Sequence, residues 1–262
     1  MLTQEEIKQY IELGYVIPRN FKLESVILAG LQSALEFVLK TNPEIPPDRI
    51  VNPHLNGAKP YGVKGHKRFN ELVYTETILE MAADVLGPDL ILLFTHLFCK
   101  NSRSTRVVPW HQDGPFWPVK PMKSCTVWLA LDDVDKENGA MKVIPRSHLG
   151  KALNHNLITD PNSTLNRELP ALDVDEHSSE YVELEAGQVS IHDIGIIHSS
   201  AANSSGRRRA GLALRFMPSC CHMFRTMPDA AASWEDMPME LVSGINIHPG
   251  NNFSLGDFGE PW

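Results

Sequence analysis

Three residues in this chain have the types and spacing of a metal-binding set. His111 and Asp113 stand two positions apart in Trp110-His111-Gln112-Asp113-Gly114, and His198 lies far downstream in Ile197-His198-Ser199-Ser200. Two imidazoles and one carboxylate form a facial triad, a set that suits non-haem Fe(II) and leaves positions open for substrate and O₂. Residues i and i+2 of a strand point to one face. His111 and Asp113 are therefore expected to share a face, with His198 arriving from another strand. The pair is weak by itself, because 11 histidines and 32 acidic residues among 262 give roughly one His-x-Asp/Glu match by chance. The chain holds one. Its context adds weight. His198 and Ser200 share strand parity, and Arg207-Arg208-Arg209 follows after a turn at Asn203-Ser204-Ser205-Gly206. An antiparallel return would bring Arg209 alongside His198. There its guanidinium could pair bidentately with a carboxylate. A dicarboxylate that chelates a metal at one end needs such a partner at the other. By parity Arg208 points away, and Arg207 is expected in solvent.

The rest of the chain must position these groups. Thr3 and Glu6 have capping-box spacing, so a helix is expected to open the chain and to end near Gly14, followed by a short strand at Tyr15–Pro18. Leu23 to Lys40 carries apolar residues at helical period. Thr77 to Leu86 is a further amphipathic helix, with Gly87 and Pro88 as its stop. From Asp89 short strands follow one another, separated by Asn138-Gly139, Ala186-Gly187 and Asn203 to Gly206. In one of them Val127, Leu129 and Leu131 alternate with Thr126, Trp128 and Ala130. Helices precede the strands rather than alternating with them, which argues against a parallel α/β sheet and points to a sandwich or jelly roll. The expected architecture is one mainly β domain over 1–262 with flanking helices: a largely helical part over 1–88, a barrel core over 89–218 and an irregular tail over 219–262. The stretch 159–179 reads as a polar insertion loop.

Composition limits the partners. The net charge is −8, with 42% hydrophobic and 21% charged residues, which argues against a nucleic-acid surface over the whole molecule. No apolar run is long enough to span a membrane, and the polar, acidic start is unlike a secretory signal. Cys99, Cys125, Cys220 and Cys221 form no Cys-x-x-Cys pair, so reduced thiols in the cytoplasm are expected. The expected partner is a small molecule, and the expected assembly a monomer or homodimer.

The motifs together resemble the phytanoyl-CoA dioxygenase family of Fe(II)/2-oxoglutarate-dependent oxygenases. The resemblance runs from Gly14-Tyr15-Val16-Ile17 to Leu241-Val242-Ser243-Gly244. It is sharpest in Trp110 to Gly114, Thr126 to Asp133, Glu137-Asn138-Gly139-Ala140, Val143 to His148, and His198-Ser199-Ser200 with Arg209. Arg146 departs from the Gly that the family often has before Ser-His. The resemblance implies a double-stranded β-helix (jelly-roll, cupin-like) core. It implies His111, Asp113 and His198 as iron ligands, Arg209 and Ser200 at the distal carboxylate of 2-oxoglutarate, and Trp128 lining that pocket. The cofactor set would be Fe(II), 2-oxoglutarate and O₂, and the reaction hydroxylation of an unactivated C–H bond. The alternatives are a divalent-metal enzyme without oxidative chemistry, which would need no second carboxylate site, and a ligand-binding protein that kept the barrel and lost turnover.

Substrate features are sparser. The stretch from Arg49 to Asn70 has no acidic residue and carries Lys59, Lys64, Lys67 and Arg68. It is expected to be irregular and to recruit an anion at the mouth of the site. Arg215 has the strand parity of Arg209, and Trp117 closely follows the ligand strand. An anionic substrate (a carboxylate, a phosphonate or an acyl carrier) is the resulting expectation. His192 is expected to be no ligand, and His96 and His148 to be structural or surface residues.

Overall fold

The computed structural model describes residues 1–58, 62–225, 234–235 and 237–253. Helix α1 (Gln4–Leu13) begins with the reciprocal Thr3–Glu6 capping box and ends at Gly14, whose φ of 83° suits glycine. Strand β1 (Tyr15–Val16) follows, then α2 (Ser25–Thr41), the two-residue β2 (Ile50–Val51), α3 (Lys67–Val73) and α4 (Glu76–Leu86). Nine further strands matter for the site. They are β3 (Leu90–Lys100), β4 (Val108–His111), β5 (Cys125–Ala130), β6 (Met141–Ile144), β7 (Glu180–Val182), β8 (Val189–Asp193), β9 (Ile197–Ser200), β10 (Arg209–Pro218) and β11 (Glu240–Ser243).

They form two sheets. The larger has the order β1-β8-β5-β10-β3-β11, with β2 added to β3; the smaller has the order β7-β6-β9-β4. Every pairing among these strands is antiparallel. Period-2 alternation sorts the large sheet into two faces. Val127, Leu129, Leu212 and Leu214 point outward and pack with Leu31, Leu35, Ile78 and Met81 of the helices. Each such side chain contributes roughly 1.5–3 kcal/mol on burial, so the helices bind the sheet as a continuous apolar layer. Thr126, Trp128, Arg215 and His192 point inward and line a cavity with residues of the small sheet.

Two local expectations are corrected. Lys67, Arg68 and Asn70 lie in α3, not in irregular chain. His66 caps that helix by accepting from the Arg68 amide, and Phe69, Leu72 and Val73 bury its inner side. Seven residues are too few for a helical period to stand out. Within the expected tail, β11 pairs with the start of β3, and Trp234, Met237 and Met239 are buried in a second apolar cluster. An edge strand of four residues leaves little pattern to read. The polar stretch over 159–179 is tied down as well: Leu169 is buried and its amide donates to the Trp110 carbonyl at 2.8 Å. Lys59 and 254–262 lie outside the described residues.

Candidate active site

The cavity enclosed by the two sheets has a volume of about 160 Å³. At one end β4 and β9 pair with His111 opposite His198. Their rings lie 4.1 Å apart between centroids. Nδ1 of His111 donates to the Pro109 carbonyl at 2.8 Å, and Nδ1 of His198 to the Ile196 carbonyl at 3.0 Å. A carbonyl only accepts, so each bond fixes the proton on Nδ1 and leaves the Nε2 lone pair free, as a metal ligand requires. Asp113 approaches within 3.5 Å of the His111 Nε2. The donor atoms of His111, Asp113 and His198 all lie within 4.8 Å of one another, and all three residues are buried. They fit a divalent ion by number, type and proximity.

The route by which Asp113 arrives differs from the expectation. Strand β4 ends at His111, and Asp113 has αR backbone angles at the start of a 3₁₀ turn over Gly114–Phe116. A turn, not strand parity, carries the carboxylate to the metal-binding point. Gln112 pins that turn: its side chain donates to the Gly195 carbonyl at 2.7 Å and accepts from the Leu153 amide at 2.8 Å. A Cβ at Gly114 would stand 2.3 Å from the sulfur of Met122, an exposed flexible side chain that would have to move aside. Burial alone would raise the Asp113 pKa. His111, His198 and the Arg215 guanidinium, all close by, outweigh it and hold the carboxyl well below its ordinary range.

Arg209 also arrives differently. It opens β10 in the large sheet, so β9 and β10 are not neighbours; the chain crosses between sheets after Ser200. Jelly-roll connections pass from sheet to sheet, and Arg209 faces Ser200 across the barrel. Its Nη2 lies 3.5 Å from the Ser200 hydroxyl, and its guanidinium sits over the Trp128 ring at 4.9 Å. It is buried, and its Nε has no hydrogen-bond partner. Burial pushes its pKa down to about 10. A buried guanidinium with an open donor calls for an anion. Arg208 bridges Asp132 and Glu36 on the outer face, and Arg207 pairs with Asp135 in solvent.

Several site groups escaped the sequence reading. Lys100 is register partner to Arg209. Its buried Nζ donates to the Ser200 hydroxyl at 2.7 Å and carbonyl at 3.0 Å, and to the Ala201 carbonyl. Burial and the neighbouring Arg209 push its pKa down to about 6. His192 faces the cavity with its Nε2 4.0 Å from Asp113; burial first, then Arg215, pushes its pKa down to about 4. His96, expected to be structural or at the surface, also lines the cavity, although its Nε2 is bound to the Asp48 carbonyl at 3.1 Å. Strand parity was the available signal for all three.

Trp117 and Arg215 line the cavity; Lys64, Lys67 and Arg68 are exposed and do not. Arg68 lies against Gly30 of α2, because α3 packs on that helix. The basic stretch is thus not brought to the site.

The sequence model of the phytanoyl-CoA dioxygenase (PhyH) family matches residues 10–211. The chain belongs to this family. It is 25% identical over 257 residues to the phytanoyl-CoA dioxygenase domain-containing protein 1 homolog of Dictyostelium discoideum, covering 82% of this chain and 91% of that one. It is 28% identical over 170 residues to a probable alpha-ketoglutarate-dependent hypophosphite dioxygenase of Stutzerimonas stutzeri, covering 64% of this chain and 56% of that one. Among solved structures, apo ThoJ, a non-heme monooxygenase, superposes with a TM-score of 0.73 at 23% identity, covering 96% of this chain and 85% of that one. EvdO2 of Micromonospora carbonacea var. aurantiaca, complexed with 2-oxoglutarate, gives 0.67 at 18%, covering 88% and 96%. The fold is accordingly the jelly roll of the non-haem oxygenases. This PhyH-family member is a 2-oxoglutarate-dependent dioxygenase, with Fe(II), 2-oxoglutarate and O₂ as its cofactor set. Among the described residues no helix is long and apolar enough to cross a membrane.

Proposed function

We propose that this dioxygenase hydroxylates an unactivated C–H bond of a small anionic metabolite. The observation that carries this reading is one enclosed cavity with His111, Asp113 and His198 at one end and the open guanidinium of Arg209 at the other. In this reading the triad holds iron. Arg209 and the Ser200 hydroxyl hold the distal carboxylate of 2-oxoglutarate, and Trp128 forms the wall beneath it. Iron with 2-oxoglutarate supplies the oxidation: one atom of O₂ ends in the new hydroxyl, the other in succinate, and CO₂ leaves. The protein orients the two carboxylate-bearing partners and excludes water. Arg215 and Trp117 face the remaining space and are assigned to the substrate. The similarity to a hypophosphite dioxygenase, an enzyme named for a small anion, supports the anionic class.

The test is succinate formation from 2-oxoglutarate with Fe(II) in air, screened over carboxylates, phosphonates, acyl carriers and neutral compounds. Stimulation by an anionic compound, with gain of one oxygen from ¹⁸O₂ in that compound, is expected. Metal-dependent turnover stimulated only by neutral apolar compounds would refute the anionic class. Absence of metal-dependent 2-oxoglutarate binding would refute the site assignment.

A further inference from the structure

Row by row, the inner face of the large sheet holds polar atoms that the fold leaves without partners. His192 on β8, Thr126 on β5 and Arg215 on β10 are register partners in one row across three adjacent strands. Nδ1 of His192, Oγ1 of Thr126, and Nε and Nη1 of Arg215 are all buried, and none has a hydrogen-bond partner. Buried polar groups are nearly always paired, and each unpaired one costs about 1–3 kcal/mol. Four such atoms in one row, all on side chains that line the cavity, mark a place built for a ligand.

The chemistry of the row selects the ligand. Arg215 is 6% exposed, and its guanidinium is walled by Phe94 at 4.6 Å, Trp117 at 5.2 Å and Phe98 at 5.6 Å. These rings cover apolar space and hold the guanidinium in place, while its unpaired N–H groups remain to be satisfied. No carboxylate of the described residues comes within salt-bridge distance of it. Asp113 is its nearest electrostatic partner, but in the loaded enzyme that carboxylate serves the metal. Charge balance points the same way. With iron and 2-oxoglutarate in place, Asp113 and the two co-substrate carboxylates offset the metal and Arg209. The charge of Arg215 is then left over, and a protonated Lys100 would add to the excess. An uncompensated buried charge is strongly unfavourable.

On the reading of the preceding subsection, we infer that Arg215, Thr126 and His192 form the seat of the substrate's anionic group, and that the substrate is a small carboxylate or phosphonate. Position narrows the class further. His192, in the same row, lies 4.0 Å from Asp113, and its ring is 5.1 Å from that of His198. An oxyanion in this row therefore sits beside the metal position. The carbon presented for oxidation is the one bearing the anionic group or its immediate neighbour. An acyl-carrier thioester does not fit, since its phosphates lie remote from its acyl carbons. The carrier class admitted above is thereby excluded.

The test uses the full chain with Fe(II) and 2-oxoglutarate under argon, and follows ligand binding by calorimetry. The probes are propionate and ethylphosphonate, their neutral counterparts propanamide and propan-1-ol, and propionyl-CoA. At least one small oxyanion is expected to bind, with the neutral compounds and the thioester far weaker. R215Q should weaken oxyanion binding by roughly thirtyfold or more, the lower bound for an unpaired buried ion partner. It should leave 2-oxoglutarate binding close to that of the parent enzyme. T126V should weaken the oxyanion severalfold. If R215Q does not fold, as judged by thermal melting, R215K and T126V carry the test, since R215K keeps the charge and loses the fork. The seat is overturned if no oxyanion probe binds, if neutral probes bind as well as charged ones, or if the variants bind oxyanions normally. It is also overturned if R215Q loses 2-oxoglutarate instead. The underlying enzyme reading fails separately, if the parent protein does not bind 2-oxoglutarate in a metal-dependent manner.

Discussion

Gly211 offers the most direct probe of the co-substrate wall. It lies on the inner face of β10, and an added Cβ would stand 2.0 Å from Cζ2, 2.2 Å from Cη2 and 2.6 Å from Cε2 of Trp128. Carbon pairs rest at about 3.5–4.0 Å, so Gly211→Ala forces the indole back by about 1.5 Å. The ring has no free path outward, because Trp128 is buried in an apolar cluster with Ala130 and Ala213. It must move into the cavity, where it now lies beneath the Arg209 guanidinium. Overpacking of this kind costs about 1–3 kcal/mol. A gain of about 0.4–1 kcal/mol from the stiffer unfolded chain offsets part of it. Losing the cation–π contact removes a further ~0.5–2 kcal/mol from the arginine's fixed pose. The melting temperature should fall by about 2–4 °C per kcal/mol, and 2-oxoglutarate affinity by roughly five- to thirtyfold. Thermal melting and anaerobic calorimetry with Fe(II) read both effects. Trp128→Phe removes the clashing part of the indole, so the double variant should be more stable than the two single changes predict, by about 0.5–3 kcal/mol. Parent-like melting and affinity in Gly211→Ala, or simple additivity in the double variant, would refute the argument.

Other changes report on neighbouring groups. Arg209→Ala should raise the Kd for 2-oxoglutarate by the equivalent of about 2–5 kcal/mol, and unchanged binding would remove Arg209 from the co-substrate site. His111→Ala and His198→Ala should each lose stoichiometric Fe(II), measured by metal analysis after desalting; full retention with normal turnover would contradict the triad. Lys100 supplies a pH test. Its folded pKa of about 6 lies below its ordinary 10.5, so the folded protein binds fewer protons than the unfolded chain between those values. The Lys100 contribution to metal-free stability should therefore rise with pH from about 6 upward. Lys100→Met should flatten that rise in denaturant titrations, and an identical pH profile would show that Lys100 keeps its proton.

The parts of the site that were legible in the sequence are those governed by strand parity. Val127 and Leu129 against Thr126 and Trp128 needed only the two-residue period, and both faces follow it. The same period applied to β8 places Ser190 and His192 opposite Ile191, so His192 could have been assigned to the cavity by the rule that placed Trp128. What parity does not encode is the end of a strand. Asp113 reaches the triad because the chain turns immediately after His111, held by the Gln112 bonds to Gly195 and Leu153. Those contacts come from segments far away in the chain and leave no periodic trace. The basic stretch failed for a similar reason: charge along the chain says nothing about which face of α3 carries it, and Lys67 and Arg68 face solvent.

The division of the site between two sheets has a chemical consequence. His111 and His198 belong to the small sheet, whereas Arg209, Trp128, Arg215 and Thr126 belong to the large one. On the proposed reading, the metal end would thus be held largely by one sheet, and most groups assigned to 2-oxoglutarate and the substrate by the other. The link between them is local and polar: Lys100 of the large sheet bonds Ser200 and Ala201 of the returning chain, and Ser200 donates to the Gly139 carbonyl at 2.8 Å. A Cβ at Gly139 would stand 2.7 Å from the Ala201 carbonyl oxygen, and its φ is 89°. Asn138-Gly139, which reads in the sequence only as a turn, therefore sets how closely the chain beyond His198 can approach Lys100. On the proposed reading, with the triad holding iron and Arg209 the distal carboxylate of 2-oxoglutarate, this junction would set the spacing between the two and so favour one dicarboxylate length.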